Sequence, residues 1–182
     1  MKFSCEKLLL QNAVNTASRA VAAKSSIPAL EGLLLTCGGE SLTVSGYNMQ
    51  TGLRTKFAAE VEESGELVVN ARLISEILRR LPDDVVTFTA NDKFLIHLTC
   101  GDADFDIMGL SAADFPELPE VEEKYAVQIA EKTLKTMIQQ TSFAVSTNEA
   151  RPVHMGSLFE VSAEGLTVVS VDGFRLALRK EA

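Results

Sequence analysis

The sequence has no tryptophan, two tyrosines, two histidines, three cysteines and five prolines. Each scarcity excludes something. Cys5, Cys37 and Cys100 stand far apart with no Cys-x-x-Cys spacing, so neither a zinc site nor a disulfide framework is expected. Each lies among apolar residues of an expected strand and reads as a buried thiol. His97 falls inside an expected strand and His154 in a loop, neither with a Cys, Asp or Glu at a recognisable ligand spacing. No Gly-x-Ser-x-Gly elbow, His-Glu-x-x-His pair or P-loop is present, so no catalytic residue is assigned. Asp102, Asp104 and Asp106 alternate as an exposed strand face would, without the glycine and later glutamate of a calcium loop. No metal and no cofactor are expected.

Long apolar runs are also lacking. Gly32-Leu33-Leu34-Leu35 is typical, against the ~20 residues of a spanning helix. The start, MKFSCEKLLLQN, has neither the apolar stretch nor the cleavage site of a signal peptide, so a cytoplasmic protein is expected. There is no low-complexity tract or long charge block.

What is there is a repeat. Shifted by about 124 positions, the chain aligns with itself without a gap. Pro28 meets Pro152, Gly32 meets Gly156, and Leu42-Thr43-Val44 meets Leu166-Thr167-Val168. The pair Asn48-Met49 meets Asp172-Gly173, and both suit a turn with one residue at positive φ. Each copy reads as a short strand (Lys2 to Cys5, Ala126 to Ile129), an amphipathic helix, a proline-containing loop and alternating strands. In the first copy those strands are Leu30 to Cys37, Ser41 to Tyr47 and Gly52 to Ala58.

The middle of the chain repeats the plan with little identity. Glu66 to Val69 reads as a strand and Asn70 as an N-cap. Ile74, Ile77, Leu78 and Leu81 trace a helical stripe, ended by Pro82. Val85 to Ala90, Lys93 to Cys100 and Ala103 to Gly109 follow as strands, and Ser111 to Lys124 reads as a linker. The expected fold class is α+β: three βαβββ units starting near residues 1, 65 and 125, with helices on one face of antiparallel sheets.

The net charge of -8, from 17 bases and 25 acids, argues by itself against nucleic acid. Its distribution argues the other way. Lys7, Arg19 and Lys24 outnumber Glu6 on the first helix and its loop. Arg72, Arg79 and Arg80 outnumber Glu76 on the second, and Lys132 and Lys135 outnumber Glu131 on the third. Arg72 and Arg79 lie opposite the apolar stripe. Bases gathered on repeated helices make a sequence-blind phosphate surface. No aromatic platform accompanies them, so base readout is not expected.

The segments MKFSCEKLL, SSIPALEGLLL, ADFPELP and VDGFRLA resemble the bacterial sliding clamp, the beta subunit of DNA polymerase III. The resemblance covers the whole chain. It implies the DNA clamp fold and a processivity factor that encircles duplex DNA, without sequence preference, and tethers the replicative polymerase. It implies a non-catalytic accessory subunit that forms a homodimer ring as a full-length chain. It further implies that this chain is an N-terminal fragment. Residues 1-120 would be the first clamp domain, 121-182 a truncated first half of the second, and the third domain would be absent. Implied partners are the DNA polymerase III alpha subunit, the clamp loader, and other polymerases and repair proteins carrying clamp-binding peptides.

Residue by residue, the resemblance assigns DNA contacts to Lys24, Arg72, Arg79 and Asn148. It also assigns Pro152 and Val153, where the family often carries aromatics. It assigns the partner-peptide cleft to Asp172, Gly173, Phe174, Arg175 and Leu176, with Phe174 standing where the family often has histidine. It assigns the dimer interface to Leu73, Ile77, Phe105 and Ile107. Two readings compete with the clamp. A scaffold of repeated α+β units that never touches DNA would have no reason to gather bases on its helices. A small-molecule binder or enzyme would need a cleft of converging polar groups, which the sequence does not place.

Overall fold

A computed structural model describes residues 1-119 and 127-182. The chain divides into two compact units, Met1–Glu120 and Val121–Ala182. No helix among the described residues is long and apolar enough to cross a membrane.

The first unit holds two βαβββ halves. The first half comprises β1 (Lys2–Glu6), α1 (Lys7–Ala17), β2 (Gly32–Gly38), β3 (Ser41–Tyr47) and β4 (Gly52–Ala58). After β5 (Glu60–Glu63), the second half comprises β6 (Gly65–Asn70), α2 (Ala71–Arg80), β7 (Val85–Ala90), β8 (Leu95–Cys100) and β9 (Ala103–Met108). The halves exchange their first strands. One sheet has the order β5-β1-β7-β8-β9 and the other β4-β3-β2-β6. Thus β1 lies against β7 of the second half, and β6 lies against β2 of the first, both antiparallel. Phe3 faces Phe88 across the first crossing and Leu35 faces Leu67 across the second. The Phe3 and Phe88 rings stack at 4.9 Å, both fully buried.

The helices close the core between the sheets. On α1, Leu10, Ala13, Val14 and Ala17 are buried, and on α2, Ile74, Ile77 and Leu78. These residues share one apolar cluster with both sheets, including Cys5, Cys37 and Cys100. Burial beside Glu6 pushes the Cys5 thiol up to about 12. Asn70 caps α2 as expected, its Oδ1 accepting from the Leu73 N–H at 2.9 Å.

The second unit follows the first half at a constant offset of 124. Helix α3 (Glu131–Thr141) matches α1 residue for residue, and the 3-10 turns Ser142–Ala144 and Pro152–Met155 match Ser18–Ala20 and Pro28–Glu31. Strands β10 (Leu158–Ser162), β11 (Gly165–Val171) and β12 (Leu176–Glu181) form a three-stranded antiparallel sheet in that order.

Four expectations need correction. Strand β5 is additional to the expected strands; its acidic sequence lacks apolar alternation, and it forms because it pairs with the outer edge of β1. The expected strand from Ala126 to Ile129 starts outside the described residues, and Val127 to Ile129 form no strand. Its counterpart β1 is held on both sides, by β5 and β7. The strand expected from Lys93 starts at Leu95, because Asn91 folds a turn with Phe94 at φ 60. The described part of the linker is packed rather than free. Phe115 is buried beside Tyr47 and Val68, with Leu118 packed on the same cluster, and Leu110, just before the linker, bridges Val68.

Candidate nucleic-acid interface and docking face

The loop after each repeated helix folds the same way twice. The Ala22 N–H donates to the Leu30 carbonyl at 3.0 Å, and 124 residues later Ser146 N–H donates to the His154 carbonyl at 2.9 Å. Lys24 and Asn148 occupy the same step of this loop, and both are exposed. Inside the first loop, the Ser25 N–H donates to Glu31 Oε1 at 3.0 Å and Ile27 N–H to Ser25 Oγ at 3.1 Å. These bonds fix the backbone that carries Lys24. In the second, Asn148 Oδ1 accepts from the Ala150 N–H at 3.0 Å. Pro152 and Val153 are exposed on the adjoining 3-10 turn.

Arg72 and Arg79 are exposed on α2, as the stripe opposite them requires. A groove of about 520 Å³ runs between the Val21 to Ala23 segment and the first turn of α2, with Arg72 on its wall. The Lys24 loop and α2 therefore border one concavity of the first unit. Arg72 Nε lies 3.2 Å from Glu76 Oε1 one turn on. Such an exposed pair contributes only ~0.3–0.5 kcal/mol, so a phosphate competes for Arg72 at little cost. Lys7 does not belong to this surface. Its side chain is buried and its Nζ sits 2.7 Å from Asp83 Oδ1. Arg19 and Lys24 of the first helix region are exposed.

The second site is the turn before β12. Asp172 Oδ1 accepts from the N–H groups of Phe174 and Arg175, at 2.9 and 3.0 Å, and Oδ2 lies 2.8 Å from Arg175 Nε. These donors, the backbone N–H groups first, hold the Asp172 carboxyl below its ordinary value. Gly173 takes φ 95, as the turn requires. The Arg175 guanidinium stands 5.8 Å from the Phe143 ring centre. The constrained turn projects Phe174 into solvent, 99% exposed, beside Leu176 and Leu178 on the same face of β12. Leu158 of β10 is exposed on that face too, across Val169 from Leu178. Leu158, Leu178 and Phe143 are additions to the residues expected from sequence. For the two leucines a sequence signal exists, because β10 and β12 carry apolar residues on both faces.

The four expected interface residues do not share one environment. Leu73 is exposed and Phe105 half-buried, whereas Ile77 and Ile107 lie within the core of the first unit. Phe105 and Ile107 belong to β9, the last strand of its sheet order. Beside them is a group the sequence hid. His97 Nδ1 lies 2.9 Å from Asp106 Oδ1 and 3.4 Å from Asp104 Oδ1, all three exposed. His97 and Asp106 are cross-strand partners on β8 and β9. The Asp106 hydrogen bond, then the Asp104 charge, raises the His97 pKa.

Comparison with known proteins places these features in a family. Residues 1–119 match the DNA polymerase III beta subunit, N-terminal domain, and residues 128–182 match its central domain. The beta sliding clamp of Bacillus subtilis (strain 168) is 34% identical over 188 residues, covering 99% of this chain and 50% of the relative. That of Synechococcus elongatus is 34% identical over 183 residues, covering 99% and 48%. The crystal structure of the DNA polymerase sliding clamp from Bacillus subtilis superimposes with a TM-score of 0.93 at 33% identity, over 100% of this chain and 50% of that one. The chain thus spans about half the length of the curated relatives it matches.

Proposed function

The chain belongs to the DNA polymerase III beta subunit family, and on that premise we propose that it serves as part of a sliding clamp. It is a non-catalytic tether whose first unit lies along duplex DNA and whose second unit docks partner proteins. In this reading residues 1-120 are the first clamp domain and 121-182 the first half of the second. The observation that carries it is the exposure of Lys24, Arg72 and Arg79, with Arg72 on the wall of a groove that the Lys24 loop also lines, in a chain of net charge -8. A chain so acidic has no general attraction for DNA, so bases presented together on one surface serve a local phosphate contact. Asn148, Pro152 and Val153, on the repeated loop, are the corresponding contacts of the second unit.

The docking surface is the apolar face of Phe174 and Leu176, held in place by the turn residues Asp172, Gly173 and Arg175. Its partners are short apolar peptides of the polymerase III alpha subunit, the clamp loader, and other polymerases and repair proteins. Leu73 and Phe105 reach a second clamp chain in the homodimer ring, and Ile77 and Ile107 support them from beneath.

The test is binding of the chain to a short duplex across a salt series. Replacing Lys24, Arg72 and Arg79 by Ala weakens binding and flattens the log–log salt slope by about 0.9 for each phosphate no longer neutralised. An unchanged slope would favour the scaffold that never touches DNA.

A further inference from the structure

The first unit carries a second groove, apart from the one beside Arg72. It encloses about 710 Å³ and is walled by the end of β1, the first turn of α1, the β2–β3 turn, the β4–β5 connection and the start of β7. Every wall belongs to Met1–Glu120, whose two halves close one core. Backbone bonds tie the walls together. The Ala59 N–H donates to the Glu40 carbonyl at 3.1 Å, and the Lys7 N–H to the Asp84 carbonyl at 3.0 Å.

Two properties coincide in this groove. The first is apolar surface. Leu9 of α1 is 40% exposed and Val85 of β7 is 51% exposed, and both line the groove with the half-buried Val61 of β5. The second is charge of one sign. Glu6, Glu40, Glu60 and Glu62 line it, all exposed, and no Lys, Arg or His stands among its described lining residues. Glu62 is met by Lys2 Nζ at 2.7 Å, and Glu60 accepts from Ser4 Oγ at 3.3 Å. Glu6 stands at the head of α1 without capping it. Lys7, the next residue, does not neutralise it, because its side chain is buried against Asp83.

An apolar groove rimmed by carboxylates selects its occupant by charge. Duplex DNA brings negative charge and is repelled, and so is a second copy of the same edge. Strand β5 shows the latter directly. It is the outermost strand of its sheet, and its glutamates keep a like edge from pairing with it. A basic segment with apolar side chains answers both properties at once. Its apolar groups cover Leu9, Val61 and Val85 while its guanidinium or ammonium groups reach the glutamates.

We propose that this groove docks a basic, apolar peptide segment of a partner protein. Leu9, Val61 and Val85 form the apolar seat, and Glu6, Glu40 and Glu60 receive the cationic side chains. This docking is independent of DNA binding and would stand if that reading failed, because the groove and the bases of the Lys24 loop and α2 are separate surfaces of opposite charge.

The test is fluorescence titration and amide mapping of the 182-residue chain with a short labelled peptide of alternating arginine and leucine. The amides of Leu9, Val61 and Val85 should shift. A peptide of alternating glutamate and leucine should leave them in place, and one of alternating arginine and serine should bind more weakly. The variant carrying Glu40→Lys and Glu60→Lys should bind the basic peptide about tenfold more weakly. The variant carrying Asp92→Lys and Asp102→Lys makes the same change of net charge away from the groove and should bind like the parent. All four acids are exposed, so both variants should keep the parent's fold. Equal weakening by both variants would mean a general attraction to an acidic chain and would overturn the proposal. Shifts confined to other surfaces, or none at millimolar peptide, would overturn it equally. Groove shifts that follow chain concentration without peptide would assign the groove to a second copy, and would overturn it too.

Discussion

Asn48 and Asp172 stand at the same step of the repeat and fold the same turn. Each side-chain Oδ1 accepts from the N–H groups two and three residues on, at 3.0 and 2.8 Å for Asn48 and 2.9 and 3.0 Å for Asp172. The residue after each has positive φ, Met49 at 71° and Gly173 at 95°. The first copy achieves this without a charge. Asp172→Asn is therefore expected to preserve the turn, whereas Asp172→Ala frays it and releases Phe174 from its fixed position. The amide shifts of Phe174 and Arg175 report the difference. Because the folded carboxyl has a lowered pKa, the charged turn persists above the ordinary aspartate range. Its contribution is lost as pH falls through the lowered value.

Lys7 is a buried base with a mostly exposed partner, at 8% and 69% side-chain exposure. Removing the partner leaves an ammonium in the core region. Fully buried pairs lose ~3–5 kcal/mol on such a change. Solvent around Asp83 screens the pair, so Asp83→Asn is expected to cost about 1–2 kcal/mol. Lys7→Met removes the charge and keeps the stem, and should be nearly neutral. Urea unfolding of both variants separates them. Equal losses would mean that the ion pair, rather than the unpaired charge, sets the cost.

Gly46 lies beneath the end of α1. A Cβ built there would fall 2.1 Å from the Ala17 carbonyl oxygen, which is backbone and cannot swing away. Gly46→Ala should force α1 off β3 at a cost of about 1–3 kcal/mol, read as a lowered urea midpoint. A stability equal to the parent would contradict this packing.

His97 should titrate above the ordinary histidine value of about 6.5, because Asp106 and Asp104 favour its charged form. The raised pKa means that the protonated pair stabilises the fold below the ordinary value. That contribution is lost as pH rises through the folded value. In NMR, Asp106→Asn should move the His97 midpoint downward. An unmoved midpoint would detach His97 from its cross-strand partner.

How much of this is legible in the sequence depends on how local the cause is. Helix α2 can be read to within one residue because its cap, stripe and Pro82 stop are all short-range signals. The paired turns at Asn48 and Asp172 are legible for the same reason. The strand exchange is not, since nothing in β1 says that its partner is β7, some eighty residues on. Lys7 passes for a solvent-facing base in the sequence because its partner Asp83 lies 76 positions away. His97 looks solitary because its partners sit across a hairpin. At the candidate site the exposure of Arg72 and Arg79 follows from helical spacing, while Lys24 lies on the loop after α1. The groove that the Lys24 loop shares with α2 comes only with the packing of the two halves.

The measurement that tests the central claim most directly is an NMR titration of the isotope-labelled chain with a short duplex at low salt. Shifts should concentrate on the Ala22 to Leu30 loop and on α2 around Arg72 and Arg79, with weaker ones on the Ser146 to His154 loop. Shifts confined to the strands, or none at all while the duplex is in excess, would contradict the clamp reading.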